Sequence, residues 1–291
     1  MVGSLRLVNR KCQNCQPHGP VTEAAMSERP WRKRPRPQGR RFGGKPAARE
    51  RVRGEPGGPV ILYGWHTVTA ALANPARHIR RLLATENAMR RLAEDGIALK
   101  IEPELVRPDA LAARLTPDAV HQGLIAEADP LPSPDIEEMP EKGVVLALDQ
   151  ITDPHNVGAI LRTAAAFAVT AIVTTARHSP EATGVLAKSA SGALELVPIC
   201  TVQNLARGLA ALKERGFLLV GLDSDAEDVL AAIELRAPLA LVLGAEGKGL
   251  RQLTGKTCDR LARLDLPGEI KSLNVSNAAA LALYIANRAI S

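Results

Sequence analysis

Aromatic side chains are scarce in this sequence: two Trp, two Tyr and three Phe make up 2% of its 291 residues. A protein that grips single-stranded nucleic acid by stacking bases on exposed rings needs more of them, so that class is disfavoured. Cysteine is scarce too, with four in all, which excludes a disulfide scaffold. Cys12 and Cys15, with His18 nearby, have half the spacing of a zinc site, but no second Cys/His pair follows at finger distance. Cys200 and Cys258 stand alone and fit reduced thiols in a cytoplasmic protein. No run approaches the ~18 apolar residues of a membrane span, and the N-terminus has no hydrophobic signal core. A cytoplasmic protein with no membrane partner is therefore expected.

The apolar fraction of 46% is ample for a core, while the net charge of +6 is unevenly placed. Residues 1–58 hold 14 Lys/Arg against 4 Asp/Glu, and residues 59–291 hold 23 against 27, so the basic character belongs to the tail. That tail is rich in Arg, Pro and Gly and nearly lacks aliphatic residues, which predicts a disordered basic arm. Such an arm supplies sequence-independent phosphate contacts to nucleic acid, or serves as a solubilising leader. Met26 opens a segment unlike what precedes it and is a candidate for the true start.

From residue 59 short β-like runs alternate with helical ones. Runs at 79–84, 98–101 and 123–126, with helices near 86–95 and 109–115, predict a compact α/β domain over 59–128. Residues 129–142 combine prolines with acids and read as a linker. Beyond it, a second domain over 143–291 has continuous apolar runs at 144–148, 169–174, 194–199, 217–221 and 239–243, with helices at 157–167 and 203–215. Unbroken apolar strands separated by helices predict a largely parallel sheet covered on both faces. Sites in such sheets lie beyond the carboxyl ends of the strands.

Three loops there carry candidate chemistry. The first runs from Asp149 through Asn156 into a helix on which Arg162 is the only charge before Phe167; Asn156 reads as a helix cap, and Arg162 as either functional or merely solvent-facing. The second is Gly244-Ala245-Glu246-Gly247-Lys248-Gly249. Its glycines do not fit G-x-G-x-x-G, and the Walker spacing from Gly249 to Gly255-Lys256-Thr257 is one residue too long, so an NTP site is disfavoured. The third, 272–277, gathers Ser272, Asn274, Ser276 and Asn277 before an apolar helix over 278–289, an excess of capping groups at the mouth of a helix expected to be buried against a core or a partner.

In order and spacing, NVGAILRTAAAF, LVLGAEGKGL and SLNVSNAAALALY resemble the three motifs of the SpoU (TrmH) family of RNA ribose 2′-O-methyltransferases, within the SPOUT superfamily. YGWHTVTAAL (63–72) and AVHQGLIA (119–126) resemble the small L30e-like substrate-binding domain of its rRNA-modifying branch. The resemblance implies an α/β fold with a knotted (trefoil) parallel-sheet methyltransferase domain, an obligate homodimer, and S-adenosyl-L-methionine as methyl donor. It implies that Asn156, Arg162, Glu246, Ser272 and Asn274 are catalytic, and that Gly244, Leu264 and Leu273 contact the cofactor. Asp265 stands where the third motif usually has proline, and a proline follows at Pro267. The implied reaction is methyl transfer to the ribose 2′-hydroxyl of a guanosine in 23S rRNA. A tRNA ribose methyltransferase and a non-catalytic RNA-binding assembly factor are the rivals, and the latter would be expected to have lost motif side chains.

Overall fold

The computed structural model describes residues 58–176 and 184–290. The basic arm, Cys12, Cys15 and Met26 lie outside the described residues. Two sheets organise the rest. The smaller has strand order β1-β4-β2-β3, from β1 (Val60–Tyr63), β2 (Ile79–Ala84), β3 (Glu104–Leu105) and β4 (Leu124–Ala128). β4 runs antiparallel to both neighbours, while β2 and β3 are parallel. Helices α1 (Trp65–Ala73), α2 (Glu86–Glu94) and α3 (Pro108–Ala112) connect them.

The larger sheet is parallel throughout, in the order β7-β6-β5-β10-β8-β11-β9. Its strands are β5 (Val144–Asp149), β6 (Ala171–Thr175), β7 (Ile199–Val202), β8 (Leu218–Leu222), β9 (Asp228–Val229), β10 (Leu239–Gly244) and β11 (Arg260–Arg263). α4 (Pro154–Ala166), α5 (Gly184–Ala190) and α8 (Val275–Ile290) cover one face; α6 (Leu205–Glu214) and α7 (Gln252–Thr257) belong to the other. Successive residues of a strand point to opposite faces, so a strand covered on both sides must be apolar at every position. β5 and β10 satisfy this, with Leu146, Leu148, Leu241 and Leu243 in one buried cluster and Val145, Ala147, Ala240 and Val242 in the other.

The first of those clusters also takes in Leu62, Leu82 and Ala126 of the smaller sheet and Val68 of α1, so one apolar core runs through both. Residues 129–142 are pinned as they pass between the sheets. Ile136 and Met139 are buried in the second cluster, and their carbonyls accept from the Arg215 guanidinium.

Several expectations change. No strand forms at 98–101; β2 instead pairs with the two residues of β3. At 194–199 the chain makes a 3₁₀ turn over Ala193–Glu195 and enters β7 only at Ile199, because Pro198 has no N–H for a ladder and Leu194 and Val197 are spent as core contacts. Asn156 is not the cap of α4. Asp153 takes that position, its carboxylate accepting from the His155 N–H at 3.0 Å, and Pro154 supplies the preset first residue. Helix α8 is buried on one face only, through Val275, Ala279, Ala282, Leu283 and Ala286; Leu281 and Tyr284 on the opposite stripe are 43% and 57% exposed.

Candidate active site

The carboxyl ends of β5 and β10 lie side by side, with Asp149 in register with Gly244. Three chain segments converge just beyond: the start of α4, the loop after β10, and the start of α8. Glu246 is the hub. Its Oε1 accepts from Asn274 Nδ2 at 2.7 Å, from the Val275 N–H at 3.2 Å and from Asn156 Nδ2 at 3.3 Å. Asn274 Nδ2 also donates to Asn156 Oδ1 at 3.0 Å. With Asp153 in the capping position, the Asn156 side chain is free to reach across to the other two segments.

Asn274 holds α8 at the same time. Its Oδ1 accepts from the Ser276 N–H at 2.9 Å and its carbonyl from the Ala278 N–H at 3.0 Å, so one side chain caps the helix with its oxygen and joins the cluster with its nitrogen. The second oxygen of Glu246 has no partner among the described residues, and its side chain stands in solvent. One edge of the carboxylate is thus locked, and the other is presented outward.

The loop carrying Glu246 is stiffened from below. Asp149, fully buried, accepts from Arg251 Nε at 2.7 Å and from the Arg251 N–H at 2.9 Å. A Cβ added to Gly244 would lie 2.2 Å from the Gly249 carbonyl carbon, so only glycine lets the loop fold back here. Gly247 and Gly249 take positive φ values of 73° and 62°, and a Cβ on either would meet nothing within 4 Å, so this backbone faces open space. Sequence reasoning missed Asp149. The available signal was an acid closing an otherwise wholly apolar strand.

The other expected residues do not join the cluster. Arg162 is exposed and makes no hydrogen bond or ion pair among the described residues. It lies six residues beyond Asn156 on α4, which puts it roughly 9 Å along the helix and about 120° round it. Ser272 is exposed and likewise unbonded among the described residues. Leu273 is 37% exposed, whereas Leu264, just after β11, packs half-buried on the main core.

A parallel sheet with a polar cluster at its strand ends, built from three ordered motifs, defines the class: the chain belongs to the SpoU rRNA methylase family, whose profile matches residues 143–284. A second profile, RNA 2′-O ribose methyltransferase substrate binding, matches residues 61–134. Among individual proteins, the chain is 38% identical over 238 residues to the 23S rRNA (guanosine-2′-O-)-methyltransferase RlmB of Pseudomonas putida, covering 78% of this chain and 95% of that protein. A putative RNA methyltransferase of the TrmH family from Porphyromonas gingivalis superposes with a TM-score of 0.66 at 27% identity, covering 79% of this chain and 90% of that one. The SpoU methyltransferase AviRb of Streptomyces viridochromogenes, solved with the cofactor AdoMet, shares the fold with a TM-score of 0.67 at 23% identity over 79% of this chain and 89% of that one.

The rim of the cluster suits such a cofactor. It offers one outward carboxylate edge for a cationic group and an open glycine backbone for close approach.

Proposed function

We propose that this protein transfers a methyl group from S-adenosyl-L-methionine to the ribose 2′-hydroxyl of a guanosine in 23S rRNA. The observation that carries this reading is the Asn156–Glu246–Asn274 cluster, in which one side chain from each of the three motifs meets at the carboxyl ends of the parallel strands. The cofactor supplies an electrophilic methyl on sulfur; the protein has to orient the ribose and deal with the hydroxyl proton. Glu246 and Asn274 hold the pocket rigid, Asn156 orients the ribose, and Gly244, Leu264 and Leu273 line the cofactor's side, with Ser272 at the mouth. Arg162 acts on the 2′-hydroxyl, directly or through a bound phosphate. Residues 59–128 serve as the substrate-binding unit and 143–291 as the transfer unit.

Within one chain Arg162 makes no hydrogen bond to the cluster. A homodimer removes the difficulty. Helix α8, with Leu281 and Tyr284 exposed on its outer stripe, packs beside α4, which carries Arg162 on its own exposed face. Two copies packed through these faces cover the apolar stripe and bring Arg162 of one copy to the cluster of the other. The Val275 N–H bond to Glu246 ties the start of the final helix to the loop after β10, and these two segments are the ones a trefoil knot would cross. Among the described residues no helix is long and apolar enough to cross a membrane, and a ribosomal RNA substrate is what supports a cytoplasmic location. The direct test is incubation with labelled S-adenosyl-L-methionine and unmodified 23S rRNA, followed by mapping. Label on a guanosine 2′-oxygen is expected; label confined to tRNA, or none on RNA, would refute the assignment.

A further inference from the structure

A cleft of about 290 Å³ opens on the smaller sheet's side of the molecule, between helix α2 and the turn at 121–123. Its volume is near the lower end for small-ligand sites, about 300 Å³. The Arg91 guanidinium lines it, placed over the Trp65 indole with its carbon 3.8 Å from the ring centroid. Trp65 is 5% exposed, so a ligand cannot stack on it directly; the Arg91 side chain is 52% exposed and carries that planar surface outward. Such a plane stacks on an unpaired base as an aromatic ring would.

Two side chains on the walls can read the edge of a base. Asn87 is exposed and makes no hydrogen bond among the described residues, leaving its amide donors and acceptor available. His121 Nδ1 accepts from the Gly123 N–H at 3.0 Å, so the neutral ring carries its proton on Nε2 as a donor. The wall is held in a costly backbone shape, with Gln122 at φ 52° and Gly123 at φ 83°. Non-glycine residues persist there when their surroundings over-determine them. Gln122 Oε1 accepts both the Trp65 N–H at 3.0 Å and Lys188 Nζ of α5 at 2.8 Å. Past Asn87 a second trough, about 380 Å³ in volume, continues along Glu86, Leu105 and Arg107. Arg107 is 86% exposed and only loosely paired with Asp109 at 3.7 Å, so it is available to a phosphate.

We propose that this cleft binds one unpaired base of the RNA substrate, stacked on Arg91 and read at its edge by Asn87 and His121, with the adjoining phosphate at Arg107. The inference rests on the RNA-methylating reading above and adds the subsite through which the smaller sheet grips the substrate. Arg91→Lys keeps the charge and removes the plane; Asn87→Ala removes an exposed amide that makes no hydrogen bond among the described residues. In steady-state methylation of an rRNA fragment by the full chain, Arg91→Lys should raise KM for RNA roughly tenfold, as expected when one stacked base is lost, and Asn87→Ala about fivefold, as expected when one hydrogen bond is lost, with kcat and cofactor KM little changed. Wild-type KM in both variants would overturn the proposal, as would loss in kcat alone. Should Arg91→Lys lower the melting temperature, Asn87→Ala decides. Filter binding of the same RNA reads the subsite independently of methyl transfer. Weakened binding in the variants supports the cleft even if the wild type proves not to methylate, and unweakened binding removes it even if methylation stands.

Discussion

Two sets of Asn, Arg and Glu occur in this molecule, and they have opposite fates. Between the sheets, Arg77 donates to Glu195 through Nη2 at 2.6 Å and through Nε at 3.1 Å, Asn74 Nδ2 donates to the same carboxylate at 2.7 Å, and Arg77 Nη1 reaches the Asp129 carbonyl at 2.7 Å. The Arg77 and Glu195 side chains are each 2% exposed. At the strand ends, Asn156 and Glu246 bond to each other, but Arg162 stands apart and one oxygen of Glu246 faces outward. Identical chemistry is structural where every donor is matched and water is excluded, and available for reaction where it is held but incompletely matched.

The largest difference should appear when one carboxylate of each set is removed. Glu195→Ala leaves Arg77 buried without its partner and should cost about 3–5 kcal/mol of stability, read as a lowered denaturant midpoint. Glu246→Ala should barely move that midpoint and yet lower the methylation rate about a hundredfold or more. Equal stability losses at the two sites would erase the distinction. A paired replacement sharpens it: Arg77→Met with Glu195→Met should recover most of the stability lost in the single variant, because a well-packed apolar pair replaces a buried ion pair at little cost.

Next in size is the effect that the proposed homodimer, with its shared site, would produce. Arg162→Ala and Asn274→Ala should each be inactive, whereas co-expressed together they should regain about a quarter of wild-type activity, since half the dimers are mixed and each mixed dimer holds one intact site. No recovery would confine the site to a single chain. The smallest effect concerns the thiols. Burial pushes Cys200 up to about 11 and Cys258 up to about 12, helped by Asp135 and Glu137 at the first and by Asp259 at the second. In a Cys12→Ser, Cys15→Ser background, native alkylation by iodoacetamide should stay slow from pH 7 to 9 and become fast only on unfolding, because the thiolate forms only as pH nears those values.

What was legible in the sequence follows from whether a signal was local. β5, β8 and β10 showed as apolar runs because both their faces are covered. β11 did not, since Ala262 is its only buried residue and arginines flank it. β1 and α1 were passed over because the Gly64 turn, at φ 89°, joins two short elements with no break in composition. Asn156, Glu246 and Asn274 could be found from their three loops, although the displacement of Asn156 from the cap position depended on Asp153-Pro154 three residues earlier. Arg77 and Glu195 are 118 positions apart, and Asp149 and Arg251 are 102 apart; no periodicity connects such pairs, so only the folded chain shows them.

Methylation of unmodified 23S rRNA by the wild type and by Arg162→Ala, with cofactor affinity measured on the same preparations, tests the central claim most directly. The account predicts a guanosine 2′-O-methyl product from the wild type and a rate at least about a hundredfold lower from the variant, with cofactor binding unchanged. A variant that methylates at close to the wild-type rate would contradict it.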